Sequence, residues 1–188
     1  EDIAIMRTIP NVKVIVPSDY FSTYKAVLAI ADIQGPVYLR LGRSESQTIY
    51  NENFNFKVGK SVELFSGEDV TIIAIGSMVE KAVFAREILE SQGIHARIID
   101  LLTIKPLDEE AILRAAIETR GIVTVEDHNV YGGMGSVIAE FLAEKYPTRV
   151  LRVGINDHFG CSGDLEELRE NFGLSVSNIV GKVKELLK

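Results

Sequence analysis

The residues that could do chemistry in this chain cluster in a few short segments. Gly132-Gly133-Met134-Gly135-Ser136 lies between an apolar run and a helical stretch. Backbone N–H groups and a helix dipole could hold an anion there. The spacing departs from the dinucleotide fingerprint G-x-G-x-x-G, because Ile138 and Ala139 stand where the third glycine would fall. Close helix–strand packing explains the glycines as well and is the favoured reading. Gly76-Ser77 opens another helix, and Ser77 to Glu80 has capping-box spacing, so a phosphate there is a minor option. Arg40 and Arg43 stand around the end of the run VYLRL. A guanidinium fork suits a phosphate or a carboxylate, although the residues alone favour a surface ion pair.

The histidines are less directive. His95 falls in an expected strand and reads as structural. His128, beside Glu126 and Asp127, and His158, in Asn156 to Gly160, are candidate loop contacts. Each by itself reads as a hydrogen-bonding residue rather than a catalyst. No His/Asp spacing makes a metal site. Cys161 has no neighbouring Lys or Arg in sequence to lower its thiol pKa, so it is not assigned as a nucleophile.

These segments need elements to position them, and the pattern supplies an α/β series. Strands are expected at 12–16, 37–41, 70–75, 95–100, 121–126 and 149–153. Helices are expected at 20–32, 78–92, from Pro106-Leu107-Asp108 to about Arg120, from the glycine turn to Lys145, and at 164–171 and 176–187. Ser18-Asp19 offers a cap for the helix at 20–32, whose apolar stripe runs through Tyr20, Tyr24, Val27, Leu28 and Ala31. Residues 44–67 are polar and lack helical periodicity, as a linker with one or two short strands would, and the domain boundary is placed near 50–60. Strands alternating with helices imply a three-layer α/β domain with a parallel sheet. Its carboxyl ends should carry the loops 42–46, 76–78, 101–106, 126–135 and 154–163. The opening EDIAIMR reads like the middle of an amphipathic helix, as if the chain began inside a domain.

Composition narrows the function classes. Lys and Arg number 20 against 27 Asp and Glu, a formal net charge of −7, which argues against nucleic-acid binding through a basic surface. A single cysteine excludes an intrachain disulfide and a multi-cysteine zinc site, and a reducing, cytoplasmic setting is expected. No apolar run approaches the roughly 20 residues of a membrane helix.

Several motifs coincide in order: EDIAIMRTIPNVKVIVPSD (1–19), GPVYLRLGR (35–43), GSMVEKA (76–82), IDLLTIKPLD (99–108), VEDHNVYGGMGS (125–136) and FGCSG (159–163). Together they resemble the C-terminal part of a transketolase, and most of all the separately encoded C-terminal subunit of split transketolases. The motifs from Gly76 onward are shared with 1-deoxyxylulose-5-phosphate synthase and with the E1 beta-type subunit of 2-oxoacid dehydrogenases. Either activity, or a purely non-catalytic interaction domain, is the alternative.

The resemblance implies that residues 1–45 end a pyrimidine-binding domain, 46–64 form a linker, and 65–188 form the transketolase C-terminal domain. It implies transfer of a two-carbon ketol unit between sugar phosphates, a step of the pentose phosphate pathway. Thiamine diphosphate and a divalent metal such as Mg are implied in the complete enzyme, with neither expected on this chain alone. The family's catalytic groups lie upstream of the position matched by Glu1, so this chain by itself is expected to be inactive. Arg43 matches the arginine that grips the sugar phosphate, which turns the residue-level preference toward a buried Arg–phosphate contact. The glycines at 132–136 do not match the family's diphosphate loop. The implied partners are an N-terminal diphosphate-binding domain or subunit and a second copy in a homodimer.

Overall fold

The computed structural model describes residues 1–43 and 46–188. Ser44 and Glu45, where the expected end of the first segment and part of the 42–46 loop fall, lie outside the described residues. The chain opens with helix α1 (Asp2–Thr8), strand β1 (Lys13–Ile15), helix α2 (Tyr20–Ala31) and strand β2 (Val37–Leu39). Helix α2 starts where Asp19 stops extended backbone. Its Oδ1 accepts the Ser22 N–H at 2.8 Å, and the Asp19 N–H donates to the Ser22 hydroxyl at 2.9 Å, a reciprocal cap. Beyond α2, Gly35 takes a positive φ of 92° that reverses the chain into β2.

Strand β1 pairs in parallel with β2, and on its other side in antiparallel with β6 (Thr103–Lys105). A second, five-stranded sheet has the order β3-β5-β4-β7-β8, from β3 (Val62–Phe65), β4 (Val70–Ala74), β5 (Ala96–Asp100), β7 (Ile122–Asn129) and β8 (Val150–Ile155). All its neighbours are parallel except β3, which runs antiparallel to β5. Strands β4 and β5 are buried throughout, as covering on both faces requires.

One face is covered by α3 (Met78–Glu90) and α7 (Val176–Leu187), which bring Met78, Ala82, Leu89, Ile179 and Val183 to a common core. The opposite face is covered by α4 (Glu109–Glu118) and α5 (Met134–Lys145) through Ile112, Ala115, Met134 and Ile138. Ile3, Val12, Val14 and Val16 of the first segment belong to that same core. Helix α6 (Leu165–Asn171) precedes α7 and is capped by Asp164. The three-layer α/β expectation therefore holds.

Strand β3 falls in the polar stretch 44–67, where one or two short strands are expected, and adds an antiparallel edge. Three local expectations are corrected. Strand β6 is not among the expected strands and passes from the second segment into the first segment's sheet. Ser77 does not form the expected capping box: its backbone is already helical (φ −60°, ψ −15°), so its hydroxyl makes no cap hydrogen bond. The apolar stripe of α2 faces outward, with Tyr20 69% and Leu28 52% exposed, while Ser22 and Ala26 face inward. The inner face packs against Ile15, Phe56 and Leu102, a small core that accepts small side chains.

Hydrogen exchange checks this shared core. We expect β1 amides to exchange as slowly as those of β4, and amides of α2 and the outer edge of β2 to exchange faster. Uniformly fast exchange over residues 1–43 would contradict a core common to both segments.

Candidate functional site

A cavity of about 450 Å³ opens at the carboxyl end of β1, between Ser18, Asp19, Tyr20, Leu41, Gly42 and Ser77. The starts of α2 and α3 both reach it. Arg43 follows Gly42 and is exposed. Arg40 is engaged elsewhere: its Nε donates to Asp2 Oδ2 at 2.9 Å and its Nη2 to the Asp127 carbonyl at 3.0 Å. Tyr38 donates its hydroxyl to the same Asp2 oxygen at 2.7 Å. Burial opposes ionisation of Asp2, but Tyr38 and Arg40 together hold its carboxyl below the usual carboxylate range. The two arginines that sequence placed side by side are thus divided, with Arg40 pinning the base of the loop and Arg43 presented to solvent.

Beneath the cavity lie two buried carboxylates. Asp19, besides capping α2, accepts the N–H groups of Ile49 and Tyr50 on Oδ2 at 2.9 and 2.8 Å. Asp100, at the end of β5, is fully buried and accepts the hydroxyls of Ser18 and of Tyr50, the latter at 2.9 Å. Burial pushes the Asp100 carboxyl up to about 7, and the two hydroxyls offset that rise only in part. Burial, and then Asp100 itself, push the Tyr50 phenol upward.

The glycine run has an internal anion. The Glu126 carboxylate accepts the Met134 N–H at 2.6 Å and the Gly135 N–H at 2.9 Å, so it caps α5. A Cβ on Gly133 would fall 2.1 Å from Glu126 Oε2, and one on Gly135 would fall 2.5 Å from Thr124 Oγ1. The glycines are there because the helix start must approach the strand and its carboxylate this closely, as the packing reading expects. Burial pushes Glu126 up to about 7, against the pull of the two amides.

His128 is corrected from loop to strand. It lies within β7, is 3% exposed, and faces α1, with Nε2 3.5 Å from the Ala4 N–H and Nδ1 2.7 Å from the Asn129 carbonyl. Burial lowers its pKa, so the ring is held neutral as a packing and hydrogen-bonding group. His158 and Cys161 are exposed in the segment after β8, and the exposed His95 sits 3.0 Å from Glu90. The cavity does not gather His128 or His158. Sequence reasoning found Asp19 as a cap but missed Glu126 and Asp100, whose signal is a carboxylate closing an apolar strand run.

Residues 59–179 match the family model "Transketolase, C-terminal domain", and residues 1–48 match "Transketolase, pyrimidine binding domain". The chain belongs to the transketolase family. A 6-deoxy-6-sulfo-D-fructose transketolase subunit from Clostridium sp. (strain MSTE9) is 44% identical to it, over 99% of this chain and 58% of that protein. An apulose-4-phosphate transketolase subunit from Phocaeicola vulgatus is 40% identical, over 100% of this chain and 60% of that protein. A solved structure described as a split gene transketolase, inactive beta4 tetramer, superposes with a TM-score of 0.97 at 43% identity, covering this whole chain and 61% of that one. The chain therefore spans about three-fifths of the length of these relatives.

Transketolase membership implies thiamine diphosphate and a divalent metal in the complete enzyme. The described residues do not fit the metal–diphosphate end of that cofactor. Among them, no group of three or more His, Cys, Asp or Glu could hold a metal ion, and the amides of Met134 and Gly135 are taken by Glu126. No helix among the described residues is long and apolar enough to cross a membrane.

Two outcomes test this packing. Gly133→Ala should destabilise the protein by about 3 kcal/mol, through overpacking against Glu126 and His128. A change of the denaturant midpoint worth only a few tenths of a kcal/mol would contradict the close approach. Glu126 is raised in the folded state, so the stability it contributes is present below its unfolded value of 4.5 and is lost as pH rises to about 7. Glu126→Gln should flatten that part of the stability–pH curve relative to wild type, and an unchanged slope would refute the assignment.

Proposed function

We propose that this chain is the C-terminal part of a transketolase that transfers a two-carbon ketol unit between sugar phosphates, with Arg43 gripping the phosphate. The observation that carries this reading is the presentation of Arg43 beside an open cavity at the carboxyl end of β1, in a chain of this family. The neighbouring Arg40 is already committed to Asp2, and among the described residues of this loop Arg43 is the exposed cation that could meet a phosphate dianion. A guanidinium presents paired N–H donors to two phosphate oxygens and so orients the sugar as well as binding it. The division of the chain into residues 1–45, 46–64 and 65–188 belongs to the same reading.

The cofactor and the catalytic groups belong to the assembled enzyme, and no chemical step is assigned to residues of this chain. An N-terminal subunit is the required partner, and the chain alone is inactive. The outward stripe of α2, from Tyr20 through Leu28, supports a protein that works in an assembly containing a second copy. The exposed thiol of Cys161 suits a reducing, cytoplasmic setting and a soluble pathway of sugar phosphates. The sulfofructose and apulose phosphate named for its relatives mark the range of sugars this site could take.

In the enzyme reconstituted with its N-terminal subunit, Arg43→Ala should raise the KM for phosphorylated sugars roughly tenfold to a hundredfold, the loss of a charge-assisted contact. An unchanged KM would overturn the role of Arg43. Turnover with pyruvate in place of a ketose donor would favour 1-deoxyxylulose-5-phosphate synthesis or 2-oxoacid decarboxylation instead. Calorimetric titration of the chain alone with thiamine diphosphate should show no tight binding.

A further inference from the structure

The carboxylates under the cavity are not used by the phosphate reading, and their geometry gives them a task in it. Arg43 stands in the span between β2 and Tyr50, and both ends of that span are held by carboxylates. Upstream, Arg40 is fixed to Asp2 at 2.9 Å, and its N–H donates to the Ile15 carbonyl at 2.9 Å. Downstream, Asp19 Oδ2 accepts the Ile49 and Tyr50 N–H groups, and the Tyr50 hydroxyl reaches across to Asp100. The Tyr50 ring is braced by Phe54, with ring centroids 3.9 Å apart.

Asp19 is 3% exposed and divides its two oxygens between two tasks. Oδ1 caps α2 through Ser22, and Oδ2 holds the return of the Arg43 loop. A helix cap needs only one oxygen, so the second is available to serve the loop. Asp19 also lines the cavity, together with Gly42 and Ser46 of the loop itself. We infer that Asp19, seconded by Tyr50 and Asp100, is a positioning residue that fixes the reach of Arg43 and thereby sets discrimination between phosphorylated and unphosphorylated sugars. This rests on the phosphate role proposed for Arg43. The logic is that of preorganisation: a guanidinium on a loop tied at both ends loses less conformational freedom when it meets the phosphate.

The two oxygens make a clean substitution possible. Asp19→Asn can keep the cap, with its carbonyl oxygen on the Ser22 N–H, while its amide nitrogen cannot accept from Ile49 and Tyr50. The test uses the enzyme reconstituted with its N-terminal subunit, steady-state kinetics with a ketose phosphate donor and an unphosphorylated ketose donor, and inorganic phosphate as a competitive inhibitor. Asp19→Asn should raise the KM for the phosphorylated donor and the inhibition constant of inorganic phosphate roughly tenfold, with kcat nearly unchanged. The unphosphorylated donor should be unaffected. The double variant Asp19→Asn, Arg43→Ala should be no worse than Arg43→Ala alone, because both act through one contact.

An equal loss with both donors, or additive effects in the double variant, would reduce Asp19 to a structural role and overturn the inference. If Arg43→Ala raises the KM for phosphorylated sugars and Asp19→Asn does not, the positioning role fails while the phosphate reading stands. If Arg43→Ala itself has no effect, it is the phosphate reading that fails. Should Asp19→Asn not fold, Tyr50→Phe, which removes only the bond to Asp100, should show a smaller KM rise with the same non-additivity, and no rise would overturn the inference.

Discussion

The pairing of β1 with β6 is the constraint on which the rest of the molecule depends. Strand β1 is three residues long, and alone with β2 it would form a two-stranded ribbon with little independent stability. Strand β6 comes from the far side of the linker and completes that sheet. Because β6 lies between β5 and α4 in sequence, its place in the first sheet fixes the orientation of the whole second sheet against β1. Ile3, Val14 and Val16 then meet Ile73, Ile99 and Ile112 in one apolar core rather than two. The cavity, the loop that carries Arg43 and the carboxylates beneath it all lie at this junction.

Much of this architecture was legible because the period of hydrophobicity changes cleanly along the chain. The run VTIIA is apolar at nearly every position, as a strand covered on both faces must be, and α3, α4 and α7 show their buried stripes at helical spacing. The elements that sequence did not reveal were short or were decided by remote partners. Thr103-Ile104-Lys105 carries too few residues for a period, and its strand state exists only because β1 lies beside it. In α2 the periodicity was read well and its direction was not. The helix turns its small residues inward because Ile15, Phe56 and Leu102 leave room for little else.

The candidate site divides along the same line. Arg43 carried a signal in its motif, and Asp19 carried one as a helix cap. The second partners of Asp19, the main-chain amides of Ile49 and Tyr50, lie 30 and 31 residues away, and no local pattern encodes them. Glu126 is the opposite case, with its partners eight and nine residues ahead in the glycine run. Its role was obscured because glycine-rich turns before helices more often suggest a bound anion than a side chain supplying one. In this protein the positive end of α5 is satisfied from within.

The outward face of α2 bears on the colloidal behaviour of the chain. Tyr20 and Tyr24 lie stacked and uncovered, and Val27 and Leu28 continue the same patch along the helix. An uncovered apolar stripe of this kind is adhesive in a crowded solution, and like copies present the same stripe to one another. The net charge of −7 is then what opposes self-association through it, so added salt that screens that charge favours clustering along this face.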